Sequence, residues 1–467
     1  MTTAASAPLY PASGAADDGK QIFGHPCGLA YIVFTETWER FSFYGMQALL
    51  ILYMTLHLFK PENSATVAGF DGYRAIMAAV FGPLSTQALA AQTFGLYVGF
   101  VYFMPVFGGL LGDRYLGRKN SVIIGAVFMA AGHFLMAFEA LFLFALLALV
   151  IGSGFLKGNL AAQVGYLYAA NDKRRDAGFS IYVFGINVGA FVAPLICGTL
   201  GELYGWHYGF GAAGIGMLIG LAIYLKGRRY LPPERIRLQQ GEQIRLQPGD
   251  GTKIAAIVAM LAITALYWTA QSQVWNSYPL WIKDQVDRNL GFATVPVTWF
   301  QSLDSLAVLL LAPAVLWFWK RQSRRAAEPA DLAKIGLGCA VFASGCLLLS
   351  VGEVLAGSGQ VAIVWPVLFH FVCAIGFLYL GPIALALTSR AAPPAVNAMM
   401  VGCYYLAIFA GSFASGWLGR FYETMSPAAF WAMHGAIVGT GALLILAFGR
   451  PLLRAMAIQT QTDGDAL

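Results

Sequence analysis

Charged side chains are scarce in this 467-residue sequence. Asp, Glu, Lys and Arg make up 11% of the chain, against about 25% in a typical soluble domain, while apolar residues make up 58%. A soluble protein of this length needs far fewer apolar side chains to fill its cores. The surplus is therefore expected to face lipid, as a mean hydropathy of +0.65 also indicates. The composition argues against a soluble enzyme.

The cysteines lack the spacing of a metal site or of a disulfide framework. They lie in apolar stretches without a CxxC pair, at Cys27, Cys197, Cys339, Cys346, Cys373 and Cys403. The HExxH, GxSxG and P-loop patterns are absent as well. A membrane-embedded enzyme would need a metal or nucleophile constellation of this kind. We therefore predict that the protein is not an enzyme and that it uses no metal or other cofactor.

Apolar runs of membrane-spanning length recur from one end of the sequence to the other. A span needs roughly 20 predominantly apolar residues, and twelve runs meet this condition, so the predicted fold class is an all-α membrane protein. The runs lie at 28–57, 88–112, 119–138, 142–169, 177–201, 208–226, 254–282, 294–319, 333–356, 360–389, 396–419 and 427–449.

A charged stretch rich in Pro and Gln divides the twelve spans six and six. We predict a polar N-terminal tail at 1–27, a six-helix bundle at 28–226, a cytoplasmic linker at 227–253, a second six-helix bundle at 254–452 and a C-terminal tail at 453–467. This layout is that of the major facilitator fold, whose two bundles enclose a site near the membrane midplane. The linker at 227–253 is too short to hold two further membrane-spanning helices between the bundles.

The basic residues are distributed unequally between the predicted loops. Loops on one side carry 22 of the 29 Lys and Arg residues and loops on the other side carry five, which leaves Arg40 and Lys157 within spans. The positive-inside rule places the richer side, and with it both termini, in the cytoplasm. The formal net charge of +6 thus reflects topology and not a nucleic-acid surface. We expect a multi-pass protein of the inner (plasma) membrane that functions as a monomer.

We single out five charged residues within the predicted spans: Glu36, Glu39, Arg40, Lys157 and Asp304. Facing lipid, they would together cost roughly 12–18 kcal/mol, so they are expected to face one another or an aqueous cavity. Glu36, Glu39 and Arg40 share one stripe of the first span. A purely structural Arg–Glu pair needs one Glu, so the second carboxylate is predicted to exchange protons.

The other charges inside spans are isolated in the sequence. Lys157 lies near the middle of its span among small residues, which is too deep for easy snorkelling. Asp304 is the carboxylate that we place within the spans of the second half. His133, His370 and His434 are interpreted as packing residues, and tryptophans near span ends, such as Trp268, Trp275, Trp281 and Trp299, as interfacial anchors.

The first span carries a longer motif around the charged stripe. The segment 36–45, ETWERFSFYG, resembles the ExxERFxYYG signature of the proton-dependent oligopeptide transporter family. Further similar segments are VYFMP at 101–105, GLLGDRYLGR at 109–118, FLKGN at 155–159 and DAGFSI with GINVGA between 176 and 190. The resemblance covers nearly the whole chain and is denser in its first half.

The resemblance implies a proton-coupled symporter that imports di- and tripeptides by alternating access. Matching positions assign Glu36 and Glu39 to proton coupling and place Arg40 and Lys157 at the peptide carboxylate. Tyr44, Tyr102 and Asn187 would hold the peptide backbone, and Tyr404 stands where relatives have an aromatic Trp.

The second half departs from the family pattern. Ser272 and Phe377 occupy positions where relatives often carry Glu, whereas Asp304 stands where relatives tend to have Asn. We therefore predict that the acidic role has moved to Asp304, which would bind the peptide amine or a proton. Phe43 replaces a motif Tyr and removes one hydroxyl group from backbone recognition. Gly95 stands near the position of a second-helix His found in animal relatives.

Two other functions stay open at this point. The same fold could carry another small solute, such as an amino acid, nitrate or a modified peptide. A non-transporting peptide sensor is a second alternative, and a long cytoplasmic signalling segment is the feature expected of it.

Overall fold

The computed structural model describes residues 20–169, 172–232, 246–325 and 327–456. Within these residues twelve helices have 18 or more residues. They are α1 (Cys27–Tyr53), α2 (Thr86–Phe103), α3 (Arg118–Leu135), α4 (Phe142–Tyr166), α5 (Arg174–Ala193), α6 (Trp206–Gly227), α7 (Asp250–Gln271), α8 (Trp299–Ser323), α9 (Asp331–Ala356), α10 (Val364–Ala391), α11 (Asn397–Gly419) and α12 (Pro427–Ala455).

Eleven of the described helices are long and apolar enough to cross a membrane. The exception is α3, which has 18 residues and begins with the polar run Arg118 to Ser121. Its length equals that of α2, so its polar first turn is the feature that distinguishes it from the others. Each of the twelve predicted spans overlaps one of these helices. Most of both predicted tails, and residues 233–245 of the predicted linker, fall outside the described residues.

Shorter helical segments extend or connect the long helices. Pro105 begins a new helix directly after α2, because proline cannot donate its backbone nitrogen to the preceding turn. The short segments are Met54–Leu58, Pro61–Ser64, Phe70–Phe81, Pro105–Leu111, Gly112–Leu116, Glu139–Leu141, Pro194–Gly198, Thr199–Leu203, Arg228–Tyr230, Ser272–Trp275, Ser277–Gln285, Pro394–Val396 and Arg420–Tyr422.

Four two-residue strands complete the described structure. Gln21–Ile22 pairs antiparallel with His25–Pro26 just before α1. Val286–Asp287 pairs in parallel with Val361–Ala362, which lies between α9 and α10. Neither pair is large enough to form a layer, so helix packing alone builds the core.

Helices pack first with others from the same half of the chain. In the first half α1 lies against α5 and α6, while α3 packs on α4 and α6. In the second half α9 contacts α10 and α12, while α8 packs on α10. Contacts between the halves are made chiefly by α2 with α11 and by α5 with α8.

One end of the helix assembly joins the two halves by hydrogen bonds. Just after α5, the Glu202 carboxylate accepts bonds from the backbone nitrogens of Val297 and Thr298 at 2.9 and 2.8 Å and from Thr298 Oγ1 at 2.7 Å. Gln87 Nε2 donates to the carbonyl of Gly419 at 3.2 Å. The helices α1, α5, α7 and α11 finish at this end, which we call the closed end.

The α2–α11 contact at the closed end depends on glycine. A Cβ built on Gly95 would lie 2.5 Å from the carbonyl oxygen of Ser412 and 2.7 Å from Cα of Gly416. No side chain fits at such a distance, so the two backbones can meet only because both positions are small. Gly95 is therefore used for helix packing.

Three of the predicted interfacial tryptophans are buried instead. Trp268, Trp275 and Trp281 are buried, whereas Trp299 is exposed. The interfacial interpretation was wrong for the buried three because proximity to a span end does not reveal which face of a helix meets protein. Trp281 Nε1 donates to Glu353 of α9. Glu353 is thus a second carboxylate within a second-half helix, and it was missed beside Asp304.

Candidate functional site

Glu36, Glu39 and Arg40 form a buried ionic cluster on α1. Arg40 Nε lies 2.8 Å from Glu36 Oε1, with hydrogen-bond geometry, and 2.6 Å from Glu39 Oε2 as an ion pair. All three residues are buried. Glu36 Oε2 and Glu39 Oε1 have no hydrogen-bond partner in the part of the chain that the structure describes. Arg40 therefore holds both carboxylates, and the fully ionised cluster carries one net negative charge.

Close packing by α5 fixes the backbone of this cluster. A Cβ on Gly189 would lie 2.2 Å from the carbonyl oxygen of Thr37 and 2.9 Å from Cβ of Arg40. Glycine at this position lets α5 approach the turn of α1 that carries Arg40. Tyr182, which also lies on α5, interacts electrostatically with Glu36. The α1 backbone at the cluster thus packs against α5, while the three charged side chains lie in the protein interior.

The ammonium group of Lys157 lies between two aromatic rings. Its Nζ atom is 4.0 Å from the ring centroid of Phe43 and 4.7 Å from that of Tyr102. No hydrogen bond reaches Nζ, and no carboxylate oxygen lies within 4.0 Å of it, among the described residues. Cation–π contacts stabilise an ammonium without using its donors, so Lys157 retains three donors for an incoming anion.

Phe43 therefore has a function that its lost hydroxyl did not indicate. The sequence suggested only weaker backbone recognition at this position. In the structure Phe43 is buried and forms the nearer of the two rings that hold Lys157. A ring without a hydroxyl group leaves the ammonium without an oxygen acceptor at this face.

Aromatic side chains from both halves surround the charges. The Tyr44 ring lies 5.1 Å from that of Trp275, just after α7, and Tyr404 packs edge-on against Trp268 at 6.3 Å. Tyr404 also donates to the carbonyl of Gly381 at 3.2 Å. Its neighbour Tyr405 lies within electrostatic range of Arg40.

Asn187 is bonded within its own helix. Its Nδ2 atom donates to the carbonyl of Val183 at 2.9 Å. No hydrogen bond joins Asn187 to another predicted site residue within the described ranges. The structure therefore places Asn187 on α5 and assigns it a contact within that helix.

The two positions that lack a family Glu are filled by neutral contacts. Ser272 Oγ lies 3.0 Å from Ser412 Oγ of α11. Phe377 packs edge-on against Trp268 at 6.5 Å. Neither of these two contacts involves a charged group.

Asp304 lies on α8 and faces an imidazole. Its Oδ1 atom is 3.9 Å from Nδ1 of His370 on α10, and its side chain is 22% exposed, whereas that of His370 is 0% exposed. Tyr44 of α1 lies within electrostatic range of Asp304. Asp304 thus connects the second half to the aromatic residues beside the α1 cluster.

Sequence reasoning missed several residues of the site. His370 was interpreted as a packing residue, and Trp268, Trp275 and Tyr405 were not assigned to it. A His in an apolar run has no local partner in the sequence, because Asp304 comes from another helix. The available signal was that Asp304 and His370 are both isolated polar residues within spans of the same half, which could have indicated a contact between them.

No cluster of three or more His, Cys, Asp or Glu residues that could hold a metal ion occurs in the described chain. All six cysteines are free, and four of them are buried. The polar chemistry of the site therefore consists of carboxylates, cations, hydroxyl groups and the His370 imidazole.

Comparison with known proteins gives the same family over most of the chain. The family model described as the POT family matches residues 119–245 and 239–432. The peptide transporter YePEPT of Yersinia enterocolitica subsp. palearctica is 30% identical over an alignment of 505 positions, which covers 92% of this chain and 95% of that protein. A di-/tripeptide transporter of Lactococcus lactis subsp. cremoris is 27% identical, with 94% and 98% of the two chains covered.

Solved structures agree with these relatives. The crystal structure of a peptide transporter POT in complex with sulfate superposes with a TM-score of 0.83 at 27% identity, covering 94% of this chain and 97% of that chain. The proteins that this chain resembles are transporters and not enzymes. The multi-pass helical fold, the α1 motif and the matched segments together show that this chain is a member of the POT family of transporters.

Proposed function

We propose that this protein is a proton-coupled symporter that imports di- and tripeptides across the cytoplasmic membrane. The observation that carries the proposal is the α1 cluster, where Arg40 contacts two carboxylates close to the unpaired ammonium of Lys157. A guanidinium and an ammonium are suitable donors for a peptide carboxylate. The names of the relatives from Yersinia and Lactococcus support the same substrate class.

The charges of the site support coupling to a proton. When Glu36, Glu39 and Asp304 are ionised and Arg40 and Lys157 are protonated, the five groups leave one net negative charge. Burying a net charge is costly, and one bound proton removes it. A zwitterionic peptide adds no further charge. The proton is thus the proposed coupling ion, and no cofactor is required.

Protonation of Glu39 would release Arg40 for the substrate. Arg40 Nε contacts both carboxylates in the absence of peptide. A proton on Glu39 weakens its ion pair, so the guanidinium can turn one donor pair toward the peptide carboxylate, together with Lys157. Substrate and proton then stabilise the same neutral site, which is the condition for symport.

The peptide amine is proposed to bind at the other side of the site. Asp304 is the acid that replaces the missing Glu at 272 and 377. Tyr44 interacts electrostatically with Asp304 and with Arg40 and Glu39 of the α1 cluster. Tyr44, Tyr102 and Asn187 would hold the peptide backbone, and Tyr404 would line the side-chain space. A dipeptide would thus extend from Arg40 and Lys157 to Asp304.

The proposed architecture has twelve spans in two six-helix bundles, with α3 as the twelfth span. An even number of spans brings both termini to one side, and the excess of Lys and Arg there places that side in the cytoplasm. The closed end then faces outward. Alternating access requires the Glu202 bonds to Val297 and Thr298 to break while the opposite end closes. We propose that one chain completes this cycle as a monomer.

The driving force is sufficient for accumulation. One proton crossing about 100 mV gains about 2.3 kcal/mol. A gradient of one pH unit adds about 1.4 kcal/mol. Together these terms can sustain roughly a few-hundred-fold gradient of a neutral peptide.

The test is uptake of labelled dialanine and trialanine into proteoliposomes. We expect accumulation when an inward proton gradient is imposed and none without it. Lys157→Gln should lose accumulation, whereas Lys226→Gln, an exposed lysine at the end of α6, should retain it. Absence of dialanine uptake by the wild-type protein under every gradient would contradict the proposal.

A different solute remains the second candidate. The specific observation that favours it is the replacement of two family acids by Ser272 and Phe377, which changes the second half of the site. Competition by amino acids, nitrate, modified peptides and a broad peptide panel separates the two candidates. A sensor that does not transport would bind peptides but show no counterflow exchange.

A further inference from the structure

We propose that His370 is a positioning residue that sets the pH range in which Asp304 can bind the ammonium group of a substrate. This inference rests on the proposed function. The neutral imidazole would leave the Asp304 carboxylate available to a peptide amine. The protonated imidazole would occupy that carboxylate and repel the amine.

His370 lies next to Asp304 on the side of the protein interior. The two side chains come from α8 and α10, with Oδ1 and Nδ1 3.9 Å apart. This distance is within ion-pair range but longer than a hydrogen bond. Asp304 is partly exposed while His370 is fully buried. A ligand can therefore reach the carboxylate on its exposed side, whereas the imidazole can approach only from the protein interior.

The surroundings leave His370 without another partner. Its ring meets that of Tyr278 edge-on at 5.2 Å and lies 5.3 Å from Phe369. Neither ring nitrogen, nor the hydroxyl of Tyr278, has a hydrogen-bond partner in the part of the chain described. Buried polar atoms without partners are uncommon and costly. The imidazole is thus held by aromatic packing, and its nitrogens make no hydrogen bond with the described residues.

The titratable groups around the pair are neutral at physiological pH. Tyr267 of α7, Tyr278 from Ser277–Gln285 and Cys373 of α10 interact with Asp304, as Tyr44 of α1 does. From α9, Cys346 lies beside Cys373, and α12 contributes the Trp431 ring beside Phe369. Tyrosine and cysteine lose protons well above neutral pH in general. Asp304 is therefore the charged group to which a proton on His370 responds.

One proton on the pair can occupy either of two positions that give the same net charge. It can reside on Asp304 beside a neutral imidazole, or on His370 beside the ionised carboxylate, and the pair is neutral in both cases. An ammonium ion from the substrate satisfies the same carboxylate. Proton and ammonium thus compete at Asp304, and only a substrate that carries the ammonium experiences this competition.

The test compares dialanine with N-acetyl-dialanine, which lacks the ammonium group. Equilibrium binding to the purified full chain in lipid nanodiscs is measured from about pH 5.5 to about pH 7.5, the range in which imidazoles titrate. For the wild type we expect dialanine binding to weaken at least about fivefold more than N-acetyl-dialanine binding as pH falls. In His370→Gln this difference should disappear, with binding at the higher pH retained.

His434→Gln is the matched control. His434 is equally buried, but its Nδ1 atom bonds to the carbonyl of Phe430 on its own helix, away from Asp304. We expect this variant to keep the wild-type pH difference. His370→Asn provides a second substitution if His370→Gln does not fold. The wild-type comparison of the two ligands is informative even without either variant.

The outcomes separate the two proposals. An unchanged pH difference in a folded His370 variant overturns the inference while the proposed function stands. Equal pH dependence of dialanine and N-acetyl-dialanine in the wild type also overturns it. If the wild type neither binds nor takes up dialanine, the proposed function fails, and this inference fails with it.

Discussion

The two halves of the molecule hold their buried charges in different ways. In the first half Glu36, Glu39 and Arg40 lie within two turns of one helix, so their ion pairs form when α1 folds. In the second half Asp304 and His370 come from different helices and meet at 3.9 Å. A cluster within one helix moves as a unit. A pair between helices responds to any relative movement of α8 and α10.

This difference suggests a division of labour in transport. The first half has excess carboxylate at its cluster and an ammonium that lies between two aromatic rings, which suits proton uptake and capture of an anion. The second half contributes Asp304, a partly exposed acid in aromatic surroundings, which suits recognition of a cation. Variants that alter one half at a time test this difference.

The largest effect is expected from Glu39→Gln in the first half. The amide cannot release a proton, so we expect proton-driven accumulation of dialanine to be lost, while counterflow exchange continues. Accumulation and exchange are measured in the same proteoliposome preparation. Glu353→Gln, which alters the Trp281 contact in the second half, serves as the control and should accumulate peptide. Unchanged accumulation by Glu39→Gln would refute its assignment to coupling.

Arg40→Lys, also in the first half, should strongly reduce both the yield of folded protein and the rate of uptake. A lysine cannot contact both carboxylates with a planar fork, and disrupting a buried ion pair costs about 3–5 kcal/mol. We expect folded protein in reduced yield with uptake below about 1% of wild type. Thermal unfolding and initial uptake rates measure the two effects separately. Wild-type rates in Arg40→Lys would show that a point charge is enough at this position.

Asp304→Asn tests the second half with a smaller expected effect. The amide lacks the charge that attracts the peptide amine, so the KM for dialanine should rise about tenfold, the usual worth of one charged hydrogen bond. Accumulation at saturating peptide should persist, because the α1 cluster is intact. Concentration-dependent uptake separates KM from the maximal rate. Retention of the wild-type KM would show that Asp304 does not contact the amine.

The double variant Asp304→Asn with Ser272→Glu tests whether the acidic role has moved between positions. Ser272 faces Ser412 across the α7–α11 contact, so a Glu there restores a carboxylate to the second half. We expect it to recover about half of the affinity lost in Asp304→Asn, since two sites that share one partner are not additive. Ser272→Glu alone is the control. No recovery would mean that the two positions are not interchangeable.

Phe43→Tyr should have the smallest effect. It keeps the ring beneath Lys157 and adds the hydroxyl of the family motif, so the cation–π contact is preserved. We expect the KM for dialanine to stay within about twofold of wild type. Phe43→Leu, which removes the ring, should raise the KM by about fivefold, in line with a contact worth about 1 kcal/mol. Equal effects of Tyr and Leu would show that the ring does not position Lys157.

The sequence by itself determined the class of protein, the approximate spans and the grouping of three charged residues on α1. Scarce charge and recurring apolar runs are local properties, and the spacing of Glu36, Glu39 and Arg40 is read directly from helical periodicity. The family resemblance drawn from this motif is confirmed by the matched family model. These features depend on neighbours within one helix, which the sequence contains.

The tertiary structure decided how isolated residues combine. The aromatic rings around Lys157, the approach of Asp304 to His370 and the burial of Trp268, Trp275 and Trp281 all depend on which helix faces which. A single apolar run has nearly the same composition on every face, so hydropathy cannot show which face meets protein and which meets lipid. The physical reason is that lipid and protein interiors are both apolar, and only packing distinguishes them.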